Sequence, residues 1–183
     1  MRALIVTNMQ NDFCEEKNTE INGVSNIIPI INELTSNTFF DLVIMTKDWH
    51  PHDNNYCNIC IQNTQGSDIH KDINLNLLNL YFFKMGAGVN ADSYSAFYDN
   101  DHKTSTGLYK FLKDKEINDV YVTGLFTNSY IKHTAIDSTL KGFNTYVIWD
   151  ACVGTSDDLT STLDELVDNE VNIIDVDYLS IKN

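Results

Sequence analysis

Asp119-Val120-Tyr121-Val122-Thr123-Gly124-Leu125-Phe126-Thr127-Asn128-Ser129-Tyr130-Ile131-Lys132-His133-Thr134-Ala135-Ile136-Asp137-Ser138 is the stretch whose reading decides the fold. Its opening, Val120-Tyr121-Val122-Thr123, is β-branched and aromatic, the composition of a short buried strand. Its later half predicts a helix with Ile131, Ala135 and Ile136 on one face and Leu140 a turn further on. Between them, Gly124-Leu125-Phe126-Thr127-Asn128 predicts a strand-to-helix turn in which Thr127 or Asn128 can cap the helix. Such a turn aims free backbone N–H groups and the positive end of a helix dipole at one point. There α/β enzymes place a nucleophile and an oxyanion hole. No cysteine stands at this turn.

Working outward, the same strand-then-helix alternation recurs along the chain. Residues 3–7 are an apolar run that ends at Asn8, the expected first strand, and Asn8-Met9-Gln10-Asn11-Asp12-Phe13-Cys14 follows at its carboxyl end. In open α/β sheets that edge carries the ligand site. Ile27, Ile28, Ile31 and Leu34 recur at helical spacing over residues 24–35, and residues 41–46 give a second strand. Residues 54–79 are polar and without period, an excursion with little regular structure. Residues 80–84 give a third strand, and the segment 85–98, with Gly86 and Gly88, gives a loop. Thr106 caps a helix through Leu108, Phe111 and Leu112. Residues 144–149 form a further strand, Ser156-Asp157-Asp158 starts the last helix with its charges matched to the dipole, and residues 171–176 close the sheet. The expectation is one α/β domain over residues 1–183. It has a Rossmann-like open parallel β-sheet of about six strands, with helices on both faces.

At 183 residues the chain suffices to bury a core. Its formal net charge of −14 argues against nucleic acid and anionic membrane surfaces, which select for basic patches. The first apolar run is too short for a signal segment or a membrane span, so a cytoplasmic protein is expected. In that compartment Cys14, Cys57, Cys60 and Cys152 are expected as reduced thiols.

Several motifs, in order, resemble those of the nicotinamidase/pyrazinamidase family, isochorismatase-like members of the cysteine hydrolase superfamily. Gln10-Asn11-Asp12-Phe13 is similar to its Asp-x-Gln-Asn-Asp-Phe signature, and Thr46-Lys47-Asp48-Trp49-His50-Pro51 to its metal-binding segment. Cys60-Ile61-Gln62-Asn63-Thr64-Gln65-Gly66, Lys84, and Asp92-Ser93-Tyr94-Ser95-Ala96-Phe97 resemble further family segments, as does Asp150-Ala151-Cys152. The resemblance runs from Ala3 to about Gly154 and implies the isochorismatase-like hydrolase fold.

It also implies a chemistry, the hydrolysis of nicotinamide to nicotinate. The family uses an aspartate base, a lysine beside it, and a cysteine nucleophile in a Gly-aliphatic-Ala-Thr-Asp-aromatic-Cys-Val turn, the logic of any acyl transfer. Here Asn8 stands at the aspartate position, Tyr130 at the cysteine and Phe126 at the small oxyanion-turn residue. Lys84 matches the lysine. An amide side chain cannot act as a base, and a phenol titrates near ~10. Ser129 would point about 100° away from the nucleophile's direction on a helix. Phe13, with Tyr56 in place of a tryptophan, matches the positions that sandwich the substrate ring.

The family's divalent metal, such as zinc, is held by Asp, His and two further histidines. Asp48 and His50 match the first two, while the others fall on Asn54 and Ile59. Two ligands are too few for zinc. The expectation is therefore no cofactor, with a rebuilt site using His52, Cys57 or Cys60 as the alternative, since Cys57-Asn58-Ile59-Cys60 has metal-knuckle spacing. The chain is expected to be a pseudoenzyme that binds a small molecule or a protein partner, and to be a candidate homo-oligomer. The alternative is an amidohydrolase using Lys84 with Ser129 or Tyr130.

Overall fold

Asn8 and the Gly124–Asn128 turn are brought side by side by the lateral order of the strands. The computed structural model describes residues 1–15, 21–155 and 159–180. Its strands are β1 (Arg2–Thr7), β2 (Leu42–Asp48), β3 (Leu80–Met85), β4 (Asp119–Leu125), β5 (Asn144–Val153) and β6 (Asn172–Ile174). They form one sheet in the order β3-β2-β1-β4-β5-β6, with every neighbouring pair parallel. The order reverses direction between β1 and β4, so the loops after these two strands splay apart at a topological switch point. The expected open parallel sheet is the observed one.

Alternation along each strand divides the apolar residues between two layers. From β1, Leu4 and Val6 face a layer shared with Met45, Tyr121 and Ile148, while Ala3 and Ile5 face another shared with Ile44, Val120, Val122 and Val147. Helix α1 (Asn11–Cys14), α2 (Val24–Ser36) and α6 (Asp177–Ser180) cover the first layer through Phe13, Ile27, Ile31, Leu34 and Leu179. Helices α3 (Leu108–Asp114), α4 (Lys132–Leu140) and α5 (Leu159–Asp168) cover the second through Leu108, Leu112, Ala135 and Leu166. Each fully buried aliphatic side chain of this kind contributes roughly 1.5–3 kcal/mol by leaving water.

The segment 54–79 carries a short 3-10 helix at Gln65–Ser67 and is tied to the sheet edge by bridges from Gln10 to Ile69 and from His50 to Ile61. The expected cap at Thr106 is corrected: Gly107, at φ 87°, precedes the helix as its N-cap without a side-chain cap bond, and the Thr106 hydroxyl accepts the Leu108 N–H at 3.3 Å from one residue further out. The expected helix start at Ser156-Asp157-Asp158 lies outside the described residues.

Two expectations for the deciding stretch are corrected. The helix after β4 begins with a π-helical turn, Thr127–Ile131, and neither Thr127 nor Asn128 caps it; Phe126, at φ 64°, precedes it in the left-handed conformation. The buried face runs at ordinary α-helical spacing through Ile131, Thr134, Ala135 and Ser138, and Leu140, on the opposite side of the helix from Ile131 at about 100° per residue, is 75% exposed. Gly124, at φ 118°, is required where β4 crosses β1: a Cβ there would overlap the Thr7 carbonyl oxygen and approach the Thr7 nitrogen at 2.7 Å.

Candidate active site

The carboxyl ends of β1, β2 and β4 converge on Asp48. Asn8 follows β1 with φ 54°, a left-handed conformation that asparagine tolerates. Its side chain is wholly buried. The Asn8 Oδ1 accepts the Thr46 hydroxyl at 2.7 Å, and its Nδ2 donates to Asp48 Oδ1 at 3.2 Å. From the opposite side the Tyr130 hydroxyl donates to Asp48 Oδ2 at 2.6 Å. Both oxygens of one buried carboxylate are thus met by donors that carry no charge.

Burial pushes the Asp48 carboxyl up to about 7, against the pull of the Tyr130 hydroxyl, the His50 charge and the Asn8 amide. Burial first, and then the negative charge of Asp48, drives the Tyr130 phenol well above its ordinary value. His50 is pushed down by burial, its largest influence, but Asp92, Cys57, the Ile59 carbonyl and Asp48 together outweigh that and raise it to about 11. Its Nδ1 lies 2.9 Å from the Ile59 carbonyl oxygen, and its buried Nε2 stands 3.8 Å from Asp92 Oδ1, an ion-pair distance without a hydrogen bond.

Aromatic rings pack around the Tyr130 phenol. Phe126 lies 5.2 Å from it between centroids, Tyr94 5.6 Å and Phe13 6.2 Å, while Phe13 and Phe126 meet edge to face at 4.9 Å. The Phe126 carbonyl accepts the Ser129 and Ile131 N–H groups at 3.0 and 3.2 Å, so these donors are spent inside the turn. Two clefts open nearby, one lined by Tyr56, Asp92 and Asp99 and the other by Tyr94, Tyr98 and His133; Asn8, Asp48 and Tyr130 line neither.

Asn8, Asp48, His50, Phe13, Phe126 and Tyr130 are therefore gathered as the sequence predicts. Lys84 and Tyr56 are not. Lys84 is an exposed residue of β3, its Nζ 3.7 Å from the centre of the Trp49 ring. Strand alternation gives the inward position to the next residue, Met85, which is buried at the end of β3 opposite Asp48 and joins the apolar layer that holds Tyr130. Tyr56 is 66% exposed and lines the outer cleft, apart from Phe13 and Tyr130. Ser129 is partly exposed and its N–H serves the turn.

Sequence reasoning also missed Gln10, which is fully buried and threads the site's floor. Its Oε1 accepts the Asp48 N–H at 2.7 Å, and its Nε2 donates to the carbonyls of Asp48 at 2.8 Å and Ser67 at 3.1 Å. A buried glutamine followed by polar residues, at the carboxyl end of an apolar strand, was the signal available.

The residues at the metal positions do not fit a cation. Asn54 has its amide committed, donating to the carbonyls of Gly88 and Ala91 and accepting the N–H groups of Tyr56 and Cys57. Ile59 offers only its main-chain oxygen, already used by His50. His52 is exposed, Cys57 half-buried and Cys60 buried, with the Cys60 thiol pushed up by burial. Among the described residues no three His, Cys, Asp or Glu side chains are placed to hold a metal ion together. All four cysteines are free thiols.

Comparison with known proteins places this geometry in context. The isochorismatase domain model matches residues 2–176. The nicotinamidase of Acinetobacter baylyi is 38% identical over 174 residues, which cover 82% of this chain and 80% of that protein. Among solved structures, the Acinetobacter baumanii nicotinamidase/pyrazinamidase superposes with a TM-score of 0.86 at 32% identity, covering 97% of each chain. The L. infantum PnC1 structure in complex with nicotinate superposes with a TM-score of 0.90 at 26% identity, over 97% of this chain and 93% of that one.

Proposed function

This chain belongs to the isochorismatase family, and we propose that it is a nicotinamidase-like protein that no longer hydrolyses amides and acts by binding a small molecule or another protein. One observation carries the reading: the Tyr130 side chain runs from the turn after β4 to Asp48, buried among aromatic rings, and ends in a hydrogen bond.

The chemistry supports it step by step. Attack on an amide carbon requires a nucleophile that can shed its proton to a nearby base. The oxygen at the turn is a buried phenol driven well above its ordinary value, next to a carboxylate whose charge opposes a second anion. The residue that follows β1 and meets the same carboxylate is Asn8, whose amide accepts no proton at neutral pH. The inward residue at the end of β3 is Met85, which carries neither charge nor donor. The exposed Lys84 is turned to Trp49, which removes the cation on which the alternative of an active site with Ser129 or Tyr130 depends.

The test is ammonia release from nicotinamide and pyrazinamide, with and without added zinc, by the wild type and by Asn8→Asp/Met85→Lys/Tyr130→Cys. The expected result is no turnover by the wild type. Turnover by the wild type above the uncatalysed rate, abolished by Tyr130→Phe, would overturn the reading; a gain of turnover in the triple variant would support it further.

A further inference from the structure

Beyond the loss of hydrolysis, we propose that the Tyr130 hydroxyl has taken the place of the divalent ion as the partner of Asp48, so that the chain completes this site with its own phenol and holds no metal there. A buried carboxylate is costly unless its oxygens are met by positive charge or by donors. Here Oδ2 receives the Tyr130 hydroxyl at 2.6 Å, within the range of a charge-assisted O–H···O⁻ bond, and Oδ1 receives the Asn8 amide at 3.2 Å. The Asn8 amide is oriented for this by the Thr46 hydroxyl, which occupies its oxygen.

The other positions of the former shell are closed in the same way. The Asn54 amide holds the Gly88 and Ala91 carbonyls together at 3.0 and 2.9 Å, a structural task that a ligand would have to abandon. The Ile59 carbonyl fixes His50 through Nδ1. Of these groups only the His50 Nε2 is left without a hydrogen-bond partner, and it faces the Asp92 carboxylate at 3.8 Å. A cation bound to Asp48 Oδ2 at about 2.0–2.2 Å would need the space of the phenolic hydrogen and oxygen. Tyr130 would have to leave, yet its ring is held by Phe13, Phe126 and Tyr94. Phenol and metal therefore exclude one another, which is a stronger statement than a shortage of ligands.

The experiment reads metal content and melting temperature, not turnover, so its failure is separate from a failure of the functional reading. Wild-type protein is dialysed against zinc and then against metal-free buffer, its zinc measured by atomic emission, and its melting followed with zinc and with EDTA. Zinc far below one per chain and identical melting curves are expected. In an Asn54→His/Ile59→His background, adding Tyr130→Ala, or Tyr130→Phe should the smaller side chain prevent folding, is expected to raise zinc affinity at least ~10-fold. Two results would overturn the proposal: one zinc per wild-type chain that Asp48→Ala abolishes, or a zinc affinity in the two-histidine background that removal of the Tyr130 hydroxyl leaves unchanged.

Discussion

Replacing Gln10 by methionine isolates what holds the floor of the site, because the two side chains have similar length and differ in hydrogen bonding. The Gln10 amide makes three bonds to main chain, two to the ends of the Asp48 peptide units and one to Ser67, and none is reached by solvent through a side chain that is fully buried. Methionine fills the volume but strips partners from one N–H and two carbonyl groups. At a net ~1–1.5 kcal/mol for each buried bond, the loss is about 3–5 kcal/mol. Urea unfolding followed by circular dichroism would show it as a lower midpoint with an unchanged slope. Gln10→Glu provides the internal control: it keeps the acceptor for the Asp48 N–H, but turns a carboxylate oxygen toward two carbonyls. It should be at least as destabilising as methionine near neutral pH, and should recover stability on acidification, when the protonated carboxyl can donate. A loss under ~1 kcal/mol in Gln10→Met, or a Gln10→Glu variant indifferent to pH, would refute the reasoning.

Gly124→Ala should cost more than ~3 kcal/mol, from a left-handed backbone and a clash with Thr7, and is expected to show as loss of soluble, cooperatively folding protein. Lys84→Ala, which removes only an exposed contact to Trp49, should lie within ~1 kcal/mol of the wild type in urea. Met85→Lys should unfold more readily, because it places an ammonium in a buried apolar layer where the facing carboxylate, Asp48, is already bonded to Asn8 and Tyr130. The Thr104 N–H, the Lys103 N–H and the Thr104 hydroxyl hold the Asp101 carboxyl down to about 2, so its folded value lies below its unfolded one. The order it confers on residues 101–104 is present above ~4 and lost as pH falls through about 2, which amide exchange at Lys103 and Thr104 would detect.

The sheet was legible because strand and helix runs alternate with periods that differ, and because each strand ends in a polar segment at the same edge. Leu140 is apolar but lies about 180° round the α-helix from Ile131, so residue type alone misleads there, while the π-helical turn before Ile131, made of local carbonyl sharing at Phe126, leaves no mark in hydrophobic spacing. Lys84 was assigned to the site by its residue type, whereas the pleat of β3 hands that place to Met85. Asn8 and Tyr130 could be read as changed chemistry from sequence alone. Their meeting at Asp48 could not, since Tyr130 reaches Asp48 across 82 positions and Asn8 across 40, through side-chain reach that no periodicity encodes.

The aromatic packing around Tyr130 has a mechanical consequence. A central sheet ordinarily keeps the side chains of its two faces apart, so each helical layer can loosen on its own. At the carboxyl edge of this sheet Phe126 packs against both layers, with Phe13 of one layer and Tyr130 of the other in contact across it. A cavity held open for substrate would interrupt that seam. Closed by aromatic rings, it couples α1 on one face to the turn that leads into α4 on the other, so that the amides of both are expected to open to exchange together, as one cooperative unit.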